Sequence, residues 1–187
     1  MHLTTFLSLY FAIGALSGPP AKPLSETARV VATAFNAIHI KIVAIKVAVE
    51  GLNNDNVQAV DTAWAAFFST IEDATTRLQD IQSLTVDDIG NVLGAIELFT
   101  NDMRDAIEHR PLTLARVQSV IEANGYCGKF YSAAVKSTEH KDAFVKRFIG
   151  KIPPELVFPI LQYKQQWDML LNKMQWRYAP GNCTDRV

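Results

Sequence analysis

Apolar residues recur along this chain at helical spacing in five stretches between residues 25 and 179, and Gly, Pro, Asn and Asp punctuate the gaps. Within the first stretch, at 100° per residue, Val31, Phe35, Ile38, Ile42, Ile45 and Val49 share one face. Ile40, Val43 and Val47 fall on a second face, separated from the first by an alanine stripe and a narrow polar strip of His39, Lys46 and Glu50. A strand through Ile38–Ile42 is the rival reading, but its alternation stops at Val43-Ala44-Ile45, so the spacing predicts a helix. Ser25 is placed to cap its start, and Gly51 to end it in the left-handed region. A helix that buries one apolar face has no need of a second. That surplus fits a central place in a bundle, a dimer interface, a surface-adsorbing stripe or a merely greasy exterior.

The remaining stretches follow the same grammar. Asn53-Asn54-Asp55 offers turn and cap residues for a second helix, whose Val57, Val60, Trp64, Phe67, Phe68, Ile71, Leu78 and Ile81 keep one stripe. Thr85-Val86-Asp87-Asp88 reads as a capping box with Asp in place of Glu. It starts a third helix faced by Ile89, Val92, Leu93, Ile96, Phe99, Met103 and Ile107, which His109-Arg110-Pro111 ends. From Leu112 to Ile149 the pattern predicts a long fourth helix. Its stripe through Leu114, Val117 and Ile121 is out of phase with Phe130, Phe144 and Phe148, so a kink or short break is expected near Asn124-Gly125. Pro153-Pro154 opens the last helix, with Pro159 delaying its regular part. That helix carries Leu156, Ile160, Tyr163, Trp167, Leu170, Leu171, Met174 and Tyr178 on one side, with Phe158, Met169 and Trp176 opposite. The expected class is all-α, an antiparallel five-helix bundle over residues 25–179.

The ends of the chain place the domain. Residues 1–17 have the apolar core and small residues of a secretory signal peptide, and are too short to span a bilayer. Residues 18–24 read as an extended leader and 180–187 as a C-terminal tail without a hydrophobic anchor. No later segment is expected to reach the apolarity of a membrane span. The mature protein is expected to be secreted. With 18 Lys and Arg against 19 Asp and Glu, scattered along the chain, no basic stripe suggests nucleic acid.

Secretion makes the two cysteines a disulfide candidate. A helix running from near Cys127 and one returning to Tyr178 each cover ~35 Å at the α-helical rise, which brings Cys183 back beside Cys127. The alternative is two free or intermolecular thiols. Asn182-Cys183-Thr184 is a glycosylation sequon in which a disulfide at the middle position competes with the glycan.

No catalytic constellation is legible. His39, His109 and His140 are far apart and stand in no metal-binding spacing, and the nucleophile-elbow and phosphate-loop signatures are absent. The sequence therefore predicts no catalytic residue, metal or cofactor. What remains is excess apolar surface with isolated polar groups in it. Ser137 projects into the Phe130, Ala134, Phe144, Phe148 face, where its hydroxyl either bonds back to its own helix or meets a ligand's carboxylate. Tyr163 poses the same choice.

An opening helix like Ala37–Leu52, a turn like Ile81–Asp88, and above all FVKRFIGKIPPEL (Phe144–Leu156) resemble the fungal hydrophobic surface binding protein A family, which includes cell wall galactomannoproteins. The resemblance covers Glu26 to Tyr178. The chain departs from the family in its richer aromatics, notably Trp64, Trp167 and Trp176, its two cysteines, and its lack of a Ser/Thr-rich anchor tail. The resemblance implies a secreted or cell-wall-associated five-helix bundle without catalytic activity. Some members enclose a long-chain fatty acid between helices; others coat hydrophobic surfaces and recruit hydrolases. Carried onto this chain, it implies a lipid-lining set of Ile42, Ile45, Phe67, Ile71, Leu93, Ile96, Phe130, Phe144, Phe148 and Trp167, with Ser137 or Tyr163 near the head group. The competing surface-adsorbing and homodimer readings both use Ile40, Val43 and Val47. An interior too tightly packed for an acyl chain would exclude the first reading.

Overall fold

The computed structural model of the protein describes residues 23–52, 57–109 and 111–186. The expected signal peptide, most of the leader and the Asn53-Asn54-Asp55 turn lie outside them. The described residues form six α-helices: α1 (Glu26–Glu50), α2 (Val57–Asp80), α3 (Val86–Arg104), α4 (Pro111–Ala123), α5 (Cys127–Ile149) and α6 (Val157–Tyr178). α3 runs on into a π-helical turn, Asp105–His109, and a 3-10 turn, Pro154–Leu156, precedes α6.

The helix starts obey local capping chemistry. Ser25 Oγ accepts the Ala28 N–H at 3.0 Å, and Thr85 with Asp88 closes the capping box in both directions. Gly51 differs from expectation. Its φ is −84°, so α1 ends without a left-handed residue, and the Gly51 and Leu52 N–H groups bond back to the Val47 and Val49 carbonyls at 3.0 and 3.2 Å.

The expected long fourth helix is two helices, so the five-helix reading is corrected to six. Gly125 has φ +70°, which glycine adopts without steric cost and which no helix propagates through. The Tyr126 N–H reaches back to the Ile121 carbonyl at 3.0 Å, and the Gly125 N–H to that of Glu122 at 3.3 Å. These are the two bonds of a Schellman stop. The side-chain amide of Asn124 adds a third, to the Val120 carbonyl at 2.8 Å.

Five helices close a ring in the order α1, α2, α5, α6, α3 and back to α1. The neighbours in this ring are not all antiparallel. Phe35 meets Phe99, His39 Nδ1 lies 2.7 Å from Asp102, and Lys46 pairs with Asp105, so α1 and α3 advance together. Likewise Asp61 pairs with Lys129 at 2.9 Å and Phe68 stacks on His140, so α2 and α5 are parallel. Trp167 Nε1 donates to Thr100 at 2.8 Å and Lys173 pairs with Glu108, so α3 and α6 are parallel too. Only sequential partners joined by short links, α1 with α2 and α5 with α6, pack antiparallel. The reason is α4. It lies across one end of the ring against α1 and the π turn, so the chain leaves α3 and enters α5 at the same end.

The Cys127–Cys183 disulfide is formed, with Cα atoms 5.6 Å apart. It ties the tail over that end. Asp185 Oδ1 accepts the Cys127 N–H at 3.0 Å, capping α5 from 58 residues away, and Arg186 pairs with Glu122 at 2.6 Å. α1 also corrects one expectation: by length and composition it would cross a membrane. Here its Val31, Phe35, Ile38, Ile42, Ile45 and Val49 are buried in the ring, and Ile40, Val43 and Val47 are exposed.

Candidate functional site

The ring is not filled along its whole length. Towards α4 and the tail it opens into a cavity of about 1150 Å³, above the ~300–1,000 Å³ usual for small-molecule sites. The same topology that makes neighbours parallel supplies its walls. Ile42, Ile45 and Val49 come from the end of α1, Trp64 and Phe67 from the start of α2, and Met103, Ala106 and Ile107 from α3 and its π turn. Phe130 and Ser137 come from α5, and Leu171, Met174 and Tyr178 from α6. Beneath it lies a void of about 30 Å³ bounded by Ile38, Ile71, Phe99, Phe144 and Trp167. Phe67, Met103, Ser137 and Leu171 line both spaces.

The twelve residues singled out in the sequence therefore fall into three groups. Ile42, Ile45, Phe67, Phe130 and Ser137 line the cavity; Ile71, Phe144 and Trp167 bound the small void. Leu93, Ile96, Phe148 and Tyr163 line neither, and Ile96 and Phe148 are wholly buried core. Ser137 donates to the Ala133 carbonyl at 2.7 Å, the back-bonded alternative. The Tyr163 hydroxyl reaches Glu97 at 3.3 Å instead of the cavity, and burial, then the Glu97 charge, pushes its pKa up to about 12.

Several polar residues at the cavity are committed to one another. Lys46 pairs with Asp105 and Lys173 with Glu108, which fastens the π turn from both sides. Gln118 Nε2 donates to Glu122 and to the Asn182 carbonyl, and Asn182 Nδ2 donates to the Trp176 carbonyl at 2.6 Å. Three other polar groups on lining residues differ. Trp64 Nε1, Arg177 Nε and the Tyr178 hydroxyl are buried with no hydrogen-bond partner among the described residues. Burial raises the Tyr178 pKa to about 12 against the opposing charge of Arg177, so the phenol keeps its proton.

Sequence reasoning missed all three as polar groups. Trp64 and Tyr178 sit on apolar stripes and read as core, and Arg177 belongs to neither stripe of the last helix. A polar atom carried by a stripe residue was the available signal. Also missed was Lys141, buried beside the small void and held by Asp168, with Lys164 2.7 Å from the same carboxylate. The opposite stripe of the last helix is exposed, and two of its members, Met169 and Trp176, line the cavity where it meets solvent. Among the described residues, no group of three or more His, Cys, Asp or Glu is placed to hold a metal ion.

Five helices thus surround a large apolar cavity, with a short helix and a disulfide-tethered tail at its solvent-facing end. The fold is shared with solved fungal proteins. Ligand binding domain 1 of the Penicillium marneffei MP1 protein, complexed with arachidonic acids, superposes with a TM-score of 0.76 over 82% of this chain and 99% of that one, at 12% identity. Domain 2 of the same protein, also with arachidonic acids, gives 0.75 over 85% and 98%, at 15% identity. AFMP4P in complex with palmitic acid gives 0.74 over 81% and 99%, at 14% identity. No family model and no curated protein matches the sequence.

Proposed function

We propose that this protein is a secreted, non-enzymatic carrier that encloses a long-chain fatty acid in the cavity between its helices. The observation that carries the reading is the cavity of about 1150 Å³ walled mainly by aliphatic and aromatic side chains. Filled by water, such walls keep apolar surface hydrated, and covering that surface with an acyl chain is favourable in proportion to the apolar area removed from water. The shared fold supports the reading, because the neighbours named above were solved with arachidonic and palmitic acids in place. A disulfide and the apparent signal peptide fit secretion. Native mass spectrometry of the protein secreted from a eukaryotic host, followed by organic extraction, tests it. A stoichiometric fatty acid is the expected result; an apo mass that persists after challenge with palmitic and arachidonic acid would sink the proposal.

A second reading rests on Ile40 and Val47, which are 59% and 62% exposed beside Val43 on the outside of α1. Adsorption to hydrophobic beads through this stripe would be abolished by Val43→Lys with Val47→Glu, the fold surviving. A homodimer through the same stripe would appear in sedimentation at high concentration.

A further inference from the structure

We propose that the outer face of α6 docks on a phospholipid membrane, and that the acyl ligand passes between bilayer and cavity beside Met169 and Trp176. This rests on the fatty-acid reading and adds the surface through which the lipid is exchanged. Phe158, Met169 and Trp176 fall in one line along α6, ~27 Å long at the α-helical rise. They are 70%, 58% and 71% exposed. The other exposed residues of α6 are Pro159, Gln162, Gln165, Asn172 and Lys173, so no carboxylate stands on this face. The exposed face of α5, by contrast, includes Lys136, Glu139, Asp142 and Lys146. The difference extends to a whole side of the bundle. Among the described residues, the large hydrophobic side chains exposed on the ring helices lie on α1, α3 and α6, which are consecutive in the ring, and none lies on α2 or α5.

Exposed apolar surface grouped in this way marks a protein or membrane interaction site. Two observations select the membrane. Met169 and Trp176 face solvent and also line the cavity, so the cavity meets the outside on the stripe itself. An acyl chain released into water exposes its whole apolar length, whereas one that crosses at a docked mouth stays against apolar surface. The stripe also has interfacial chemistry: a tryptophan, with an apolar ring and one N–H, suits the headgroup level, and neutral amides flank it. Lys173 is engaged by Glu108, which leaves the face close to neutral and matches it to a zwitterionic phosphatidylcholine surface.

The test uses the full secreted protein stripped of lipid. Flotation with phosphatidylcholine vesicles measures docking, and titration calorimetry with palmitic acid in the absence of vesicles measures the cavity. Met169→Gln and Trp176→Gln should each cut partitioning onto vesicles ~10-fold and leave palmitic acid affinity within ~2-fold. Both side chains are more than half exposed, so the variants should melt with the wild type. Vesicles should also shift tryptophan emission to the blue, and Trp176→Gln should abolish the shift, because Trp64 and Trp167 are not exposed. Palmitic acid uptake from loaded vesicles should speed up in proportion to vesicle concentration and slow in both variants. Wild type that does not float, or variants that float equally well, overturn the docking surface while palmitic acid binding in solution keeps the lipid reading. A dimer in sedimentation that both variants dissolve, without vesicle binding, gives the face to a second copy and overturns the proposal as well. No palmitic acid binding in solution or from vesicles overturns both readings.

Discussion

Phe35 packs edge-on against Phe99, Phe144 and Phe148, with centroids 6.0, 5.2 and 5.2 Å away, and Trp167 closes the cluster against Phe99 at 5.0 Å. Towards the other end of the same ring, Phe67 and Phe130 face the cavity instead of one another. Composition does not separate the two regions; both are aromatic and aliphatic with a tryptophan in the wall. They differ in saturation. In the closed region the polar atoms are paired, Trp167 to Thr100 and Thr100 onward to the Ile96 carbonyl at 2.7 Å. At the cavity, three donors are not. The cavity end thus leaves unfilled both volume and hydrogen-bonding capacity that the other end uses up.

Truncation should separate the regions most strongly. Phe35→Ala opens a hole among four rings and is expected to cost ~4–5 kcal/mol, near the top of the range for buried Phe. Ile45→Ala, which only enlarges an existing space, should cost ~2 kcal/mol. Urea denaturation of the two variants measures both, and equal losses would mean that the cavity end is packed as tightly as the other. Next in size is the disulfide. Replacing Cys127 and Cys183 by Ser releases a loop with a sequence separation of 56, worth ~4 kcal/mol by chain entropy. Hydrogen exchange should rise first in α4 and the start of α5, because the tail that caps α5 through Asp185 is then held only by weaker polar contacts.

These regions were unequally legible in the sequence. The buried face of α1 follows from period alone, and Thr85 and Asp88 announced their capping box, because both depend on residues within one or two turns. Near Asn124-Gly125 the sequence marked the right place and left a kink and a short break open; the break forms, because Gly125 adopts a positive φ. The ring order that sets α1 beside α3 and α2 beside α5 was beyond reach, for no local pattern shows it; α2 alone between them makes α1 and α3 parallel, and the α4 link, which starts α5 at the end where α3 stops, makes α5 parallel to α2. At the site, period selects inward-facing residues without telling a wall from a filled core. Ile42 and Ile96 are equivalent in sequence, yet one lines the cavity and the other has no exposed surface. Tyr163 was chosen for its hydroxyl, when Tyr178, four turns further along, was the one left without a partner.

Adding volume probes the comparison from the other side. Val31→Phe forces four extra carbons into a site with no exposed surface, and should cost ~1–3 kcal/mol. Ile45→Phe points the added atoms at open space, so thermal stability of the lipid-free protein should stay within ~1 kcal/mol of wild type. Uptake of palmitic acid should fall. A variant that lost stability at Ile45 as steeply as at Val31 would place the cavity's volume elsewhere than beside α1.

The smallest effect belongs to a device at the closed end. Because α1 and α3 run parallel, their N-termini and positive dipole ends come together there, an arrangement that favours an anion between them. Asp88 supplies it. The Ser25 hydroxyl, then the Thr85 backbone N–H at 2.9 Å, hold its carboxyl below the usual carboxylate range, against the opposing effect of burial. A folded-state pKa below the unfolded value of ~3.9 means that the contribution is fully present above that value and is lost as pH falls through the folded one. Asp88→Asn should therefore cost ~1 kcal/mol at neutral pH, the usual scale of a lost cap, with the difference from wild type shrinking below about pH 4. A gap that stayed constant down to strongly acid pH would show that Asp88 acts by shape alone and not by its charge between the two helix ends.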